Sequence, residues 1–363
     1  MTGAPAERLG RVALSLCGGG ITGAMYEVGC LVALEDGLPG FDAGKFDLYI
    51  GTSGGASVAA LLAGGVPVKR LYRALLDPDD DYFRLERHHL LSFDGAEWRR
   101  ALGSALATAR RIGADAISRP RDVDIWQELD RFYDSLPAGI FTMDGYRSFL
   151  EEFFRRRGIE DRFSAFARPL FVPANDLDTG HRAVFGQGNL QDVPVSAAIC
   201  ASSALPIFFA PVRLGGHDYI DGGIGKVAHM DIAVRWGADL VFVVNPVVPI
   251  RADAEEGIPT GHGRAKRIRD QGMLGVYNQA FRMSVKTRIQ LGLKRFQAAN
   301  PGVEIVVLEP SEREATMFLY SPMNFAARRT ILRYGYSSTL EYVERHGEHL
   351  REALRLRGVG LAT

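Results

Sequence analysis

Short apolar runs that end in glycine alternate along this chain with longer stretches of helical period. Arg11 to Cys17 is mostly apolar, as expected of a parallel strand buried on both faces. It runs into Gly18-Gly19-Gly20-Ile21-Thr22-Gly23, after which Met25, Val28, Leu31 and Val32 mark a helix over Ala24 to Glu35. Phe46 to Ile50 is a second apolar run. It ends in Gly51-Thr52-Ser53-Gly54-Gly55, and the small and apolar residues Ala56 to Ala63 predict another helix. From about Val66 to Arg162 the pattern changes to charged and aromatic residues. Helical period shows over Trp98 to Ile112 and Tyr146 to Phe154, with no clear strand. This stretch reads as a helical insertion over the C-terminal edge of a sheet, where α/β proteins hold ligands. Its aromatic residues are expected mainly in the core, and together they could wall an acyl-chain pocket.

Strand character returns at Arg168 to Asp178, with His181 to Phe185 as the return of a hairpin. Pro194 to Ser203 is a small-residue helix. Ala204 to Val212 is an apolar, proline-broken loop, too greasy for ordinary surface and expected to line a site. Val212 to Ile220 predicts a hairpin turning at Gly215-Gly216, which delivers Asp221-Gly222-Gly223. Met230 to Trp236 is a short helix and Asp239 to Val248 an apolar strand. Pro249 to Gly263 is polar and expected to be a mobile loop. Arg264 to Gln297 reads as one long basic helix, with Arg282, Lys286 and Arg288 among its cations. Gly302 to Leu308 is a last strand, and Asn324 to Leu356 one or two amphipathic helices. Alternation of strands and helices argues for a mostly parallel sheet covered on both faces.

Length and charge narrow the classes. At 363 residues the chain allows one large α/β domain or two smaller ones. A formal net charge of zero leaves no global field to draw nucleic acid or an anionic membrane, so any electrostatic attraction is local. Cys17, Cys30 and Cys200 follow no metal-ligand spacing, and no ligand cluster for a metal is visible; the three read as buried free thiols, which suits a reducing cytoplasm. Met1 to Gly10 lacks the pattern of a signal peptide, and no apolar run reaches spanning length. A cytoplasmic protein, at most peripheral to a membrane, is expected. The basic helix from Arg264 offers two readings: an apolar face lying on a bilayer, or that face on the sheet with its cations solvated. The second is preferred.

Two glycine turns carry the chemistry. A strand, a sharp Gly-x-Ser-x-Gly turn and a helix form the layout of a nucleophile elbow. Ser53 would stand on a strained turn, with Gly51 and Gly55 where side chains would collide. The helix N-terminus behind it can hold developing negative charge. The Gly18–Gly23 loop is an anion-binding geometry too. It formally fits a dinucleotide fingerprint, but the second strand ends in the serine elbow rather than in an acidic residue, which favours an oxyanion hole. A serine needs a base. His346 and His349 lie on a charged helical face, His217 in a turn, and His229 near Asp221 is a candidate to test. Asp221, at an apolar strand end, should have a raised pKa and could serve as the base, though on the motif alone Asp-Gly-Gly reads first as a type I′ turn.

The three motifs, in this order, resemble the signatures of the patatin-like phospholipases, and Ala201-Ser202-Ser203-Ala204-Leu205-Pro206 resembles the segment that precedes that family's aspartate. The resemblance runs from about Arg11 to Asn245. It implies a three-layer α/β/α sandwich with a mostly parallel central sheet and a helical insertion. It also implies a Ser53–Asp221 dyad without histidine, and an oxyanion hole from the N–H groups of Gly18, Gly19, Gly20 and Gly54. Gly23, Gly51, Gly55, Gly222 and Gly223 would be motif glycines. The family often carries Arg or Lys where Thr22 stands, so a role for a cation at this position is in doubt, and the head-group preference could differ. The expected organisation is a flexible N-terminus (1–10), a catalytic domain (11–312) with its insertion at about 66–162, and a C-terminal helical extension (313–363). The expected activity is hydrolysis of lipid acyl esters, with no cofactor or metal and no nucleic-acid partner. Acyl transfer or thioester cleavage by the same dyad, and a catalytically silent lipid-binding protein, are the alternatives.

Overall fold

The computed structural model describes residues 10–77, 79–118, 126, 130, 133–251, 258–260, 263–265, 267–311 and 328–361. The chain begins with β1 (Arg11–Leu16), α1 (Gly20–Gly37), β2 (Leu48–Gly51) and α2 (Gly54–Ala63). The insertion holds α3 (Val68–Leu76), α4 (Arg87–Leu90), α5 (Gly95–Ser118), β3 (Gly139–Phe141) and α6 (Asp144–Arg157). Then come β4 (Leu170–Asp176), β5 (Arg182–Phe185), α7 (Val195–Ser203), β6 (Ile207–Phe209), β7 (Val212–Leu214) and β8 (His217–Asp221). The chain continues through α8 (Met230–Arg235), β9 (Ala238–Val244), β10 (Ile258–Thr260), β11 (Gly263–Ala265), α9 (Gly272–Ala299), β12 (Glu304–Leu308) and α10 (Arg328–Leu356).

The central sheet runs β12-β9-β1-β2-β4-β8-β7, with β5 also on β4. The run from β12 through β4 is parallel; β8, β7 and β5 are antiparallel additions. Period-two alternation sends side chains to opposite faces. Val12, Leu14, Leu16, Leu240, Phe242 and Val244 join α1, α2 and α10 in the larger core. Ala13, Cys17, Val241 and Val243 join α8 and Ile289 of α9 in the smaller one. The result is an α/β/α sandwich with a mostly parallel sheet. Because β1 pairs with β2 on one side and β9 on the other, the chain changes direction at β1. Ligands of open α/β sheets bind at such a switch point. Leu16 pairs with Gly51, so the two glycine turns leave the sheet side by side.

Several elements differ from expectation. The first two helices begin at Gly20 and Gly54 rather than at the alanines, because the turn glycines themselves form the first helical turn. The insertion is not free of strands. Gly139–Phe141 pairs in parallel with Ile207–Phe209, inside the loop expected to be irregular. The expected mobile loop holds β10 and the start of β11, which pair antiparallel, and the basic helix starts only at Gly272, whose φ of 75° breaks the pattern. Part of the insertion, including Phe132, and residues 1–9 and 312–327 lie outside the described residues. Of the apolar face of α9, Val285 and Ile289 are buried, while Met273 and Val276 nearer its start are exposed. Arg282, counted among its solvated cations, is buried as well; its guanidinium donates to the backbone carbonyls of Pro246 and Val248. Among the described residues no helix is long and apolar enough to cross a membrane.

Candidate active site

Ser53 stands at the end of β2 with φ 54° and ψ −131°, a backbone conformation costly for any residue with a Cβ. The turn is held from behind. Its N–H donates to Ser202 Oγ at 3.0 Å, and Ser202 Oγ donates to the Pro173 carbonyl at 2.6 Å. Ser202, on α7, thus ties the serine turn to β4. The other glycine turn lies against it. A Cβ built on Gly54 would stand 2.3 Å from the Gly20 carbonyl oxygen, so the loops can touch only as glycine backbone.

Gly18, Gly19 and Gly20 have φ of 79°, 99° and 68°, three successive left-handed residues. Their N–H groups do not share one role. Gly18 N–H donates to Glu27 Oε1 at 2.7 Å and is spent inside the protein. This corrects the expectation that Gly18 contributes an oxyanion donor. Gly19, Gly20 and Gly54 line the cavity that Ser53 shares with Asp221. Their N–H groups make no hydrogen bond among the described residues. Glu27 is buried two helical turns into α1, and desolvation pushes its carboxyl well above the usual range. Sequence reading missed it; the only signal was an acidic residue inside an otherwise apolar helix. Thr22 is buried too, its hydroxyl directed to the Gly19 carbonyl at 3.5 Å, and it does not line the cavity. The side chain at position 22 is therefore packed away from the cavity that Ser53 lines.

Asp221 ends β8 and faces Ser53. Its backbone is fixed by Asp221 N–H to the Ala204 carbonyl at 3.0 Å and by Asn175 Nδ2 donating to the Asp221 carbonyl at 2.6 Å. The Gly223 N–H donates to Oδ1 at 2.7 Å. Burial raises the carboxyl to about 6, while the Ser53 hydroxyl and the Gly223 N–H, as hydrogen-bonding neighbours, pull it back. No cation enters that balance. Met25, Leu71, Phe83, Leu205, Phe208 and Phe281 give the cavity apolar walls, so the insertion, the β6 segment and α9 all contribute. Of the insertion aromatics, Phe83 and Tyr146 reach this wall, while Trp98, Trp126 and Tyr133 are exposed.

His229 is buried but takes no place in the cavity. Its Nδ1 lies 3.2 Å from Arg182 Nη1, and the same guanidinium grips Asp231 through two bonds of 3.0 and 2.7 Å. Desolvation, with Arg182 beside it, drives the ring down to about 3, so it stays neutral and braces the segment after Asp221. His229→Asn, which tolerates the left-handed backbone at φ 42°, is expected to keep kcat within about threefold while lowering the unfolding midpoint by a few degrees. A dead but folded variant in ester turnover would overturn that assignment. His217 pairs with Asp176 at 3.0 Å, while His346 and His349 stay on the exposed face of α10. Asp176, Asp178 and His217 bring ligand atoms within 4.8 Å of one another, a grouping invisible in the sequence. Asp176 and Asp178 already cap backbone N–H groups of the two adjoining turns.

A serine on a strained strand-to-helix turn of a mostly parallel sheet, faced by a buried carboxyl at the end of β8, defines an α/β protein with a candidate site at its glycine turns. A family model described as patatin-like phospholipase matches residues 14–233. That is more than half of the 363 residues, and the chain belongs to the patatin-like phospholipase family. It is similar to the uncharacterized protein YqhO of Bacillus subtilis (strain 168), 24% identical over 217 residues, which cover 57% of this chain and 61% of that protein. The chain thus matches about three fifths of that relative's length. Among solved structures it is similar to VipD from Legionella pneumophila, with 16% identity, 94% of this chain and 68% of that chain covered, and a TM-score of 0.38. It is also similar to the type III effector protein ExoU of Pseudomonas aeruginosa, with 14% identity, coverage of 93% and 53%, and a TM-score of 0.40.

Proposed function

We propose that this chain is a lipid acyl hydrolase that works through a Ser53–Asp221 dyad. The observation that carries the proposal is the pairing of a backbone-strained Ser53 with a buried Asp221 raised to about 6, in one apolar cavity. Asp221 takes the proton as Ser53 Oγ bonds to the ester carbonyl carbon. The N–H groups of Gly19, Gly20 and Gly54 receive the oxyanion. Collapse breaks the bond to the alcohol, which leaves with the proton from Asp221. Water, deprotonated by Asp221, then bonds to the acyl carbon; the acyl–Oγ bond breaks, the acid leaves, and Ser53 Oγ takes back the proton from Asp221. A positioned base supplies roughly 10²- to 10⁴-fold and an oxyanion donor roughly 10²- to 10³-fold. The lipid character of the substrate rests on the family and on the apolar walls. The catalytic unit would be residues 11–312, with the insertion closing over the sheet edge.

Labelling with an alkyl fluorophosphonate tests this reading. A single adduct on Ser53 is expected, located by peptide mass spectrometry. Its rate should rise with pH through about 6 and level off above, because the base acts only when ionised. Absence of an adduct, or a rate flat between pH 5 and 8, would sink the dyad.

A further inference from the structure

One surface outside the cavity bears on how a water-insoluble ester reaches it. Between Gly95 and Ile112, helix α5 turns Ala101 and Thr108 inward. Next to that buried face, Trp98, Leu102 and Leu106 follow at four-residue spacing, so they form one stripe along the helix. They are 41%, 63% and 54% exposed, and Phe93, just before the helix, is 61% exposed. On the far side of the stripe lie Arg99, Arg100, Arg110 and Arg111, all exposed, against the single acid Glu97 in the same span. Apolar side chains including tryptophan beside a row of cations make the pattern of a helix lying in a membrane interface.

The stripe is continuous with the cavity. Trp98 Nε1 donates to the Ile140 carbonyl at 3.2 Å, and the Phe93 ring lies 4.8 Å from that of Phe141. Both partners belong to β3, which pairs with β6, and Phe208 and Phe209 of β6 line the cavity. Roughly 400 Å² of apolar surface is exposed by these four side chains, about half of what each partner of a stable protein complex buries. That is little for a second copy of the chain. A fluid surface asks for no matching shape, and its negative charge complements the arginines.

We propose that the Phe93–Trp98–Leu102–Leu106 face of α5 is a docking surface for an anionic lipid bilayer, which delivers ester substrate to the β3–β6 side of the cavity. The delivery role rests on the lipid-hydrolase reading; the docking itself does not. Docking is therefore measured with the full chain carrying Ser53→Ala, by co-flotation with phosphatidylcholine vesicles with and without phosphatidylglycerol. The protein should float only with the anionic vesicles. Adding Trp98→Ser, Leu102→Ser and Leu106→Ser should cut the bound fraction at least tenfold, and Arg99→Glu with Arg110→Glu should remove the dependence on anionic lipid. The same serine triple in the otherwise native chain should keep turnover of a soluble short-chain ester within about twofold, which also reports that it folds. A second measurement needs no loss of binding. With Cys17, Cys30 and Cys200 buried, a Leu102→Cys variant can be labelled selectively with an environment-sensitive fluorophore, whose emission should shift to the blue on anionic vesicles.

Flotation unchanged by the serine triple, or an unshifted probe, would overturn the proposal. So would binding lost instead with Met273→Ser and Met283→Ser on α9, or a wild-type dimer that the triple dissolves. Wild type inert on soluble ester but bound to vesicles through α5 would end the hydrolase reading and leave the docking surface standing.

Discussion

Asp221→Asn is expected to lower turnover of a soluble ester by roughly 10²- to 10⁴-fold while making the protein more stable at neutral pH. The amide has the shape of the carboxyl and can still accept from the Gly223 N–H, but it cannot take a proton from Ser53. The stability effect follows from the raised carboxyl. An aspartate ordinarily titrates near 4, and here burial raises it to about 6. The folded state therefore holds the proton more tightly than the unfolded chain does. Stability falls as pH rises from about 4 to about 6 and stays low above, by roughly 2–3 kcal/mol. Asparagine carries no such charge. Its unfolding midpoint should exceed that of wild type by a few degrees at pH 8, and the difference should close by pH 4. Ser53→Ala sets the floor for turnover, and the double variant should be no worse than the serine variant alone, since the two residues act as a unit. An active Asp221→Asn, or one less stable than wild type at pH 8, would mean that the proton goes elsewhere.

Gly54→Ala should cost roughly 10²- to 10³-fold in kcat, the loss typical of a displaced oxyanion donor. The added methyl would sit 2.3 Å from the Gly20 carbonyl oxygen, and backbone cannot swing aside as a flexible side chain can. The loops must part, and the N–H groups of Gly20 and Gly54 then no longer converge. Fluorophosphonate labelling should slow in proportion, because that adduct also places an oxygen among the donors. Gly103→Ala on α5, where a Cβ meets nothing within 4 Å, serves as the control and should be neutral or slightly stabilising. Unchanged kcat in Gly54→Ala would remove Gly54 from the hole.

The elbow was legible because its determinants are local. A strand, two flanking glycines and a helix start lie within a few residues of Ser53, and each is dictated by close approach of backbone. Asp221 was half legible: the apolar strand end was plain, but only the fold brings it to Ser53 across the sheet. What distance along the chain decides was not legible. The Gly18 N–H looked free until α1 turned Glu27 back against it. Arg282 looked solvated because period alone tells which residues share a face, not that the loop at Pro246–Val248 lies beneath one of them. The β3–β6 pair joins two three-residue segments from distant parts of the chain, too short for any alternation to register. Helix starts were misplaced at Ala24 and Ala56 because glycine disfavours helix by intrinsic preference, and here the packing of the two loops overrides it.

The helix that begins in the Gly18–Gly20 turn is also the helix on which the end of the chain rests. A Cβ on Gly29 of α1 would fall 2.3 Å from the Leu332 carbonyl oxygen, and one on Gly335 of α10 would fall 2.5 Å from the Tyr26 carbonyl oxygen. The two helices thus cross backbone to backbone, each through the other's glycine, and Glu27 sits beside that crossing. A boundary drawn by similarity stops at residue 233, but the mechanical unit does not. The main footing of α1 is laid almost a hundred residues further on, so a shortened chain that kept every motif residue would strip α1 of the crossing that holds it at Gly29.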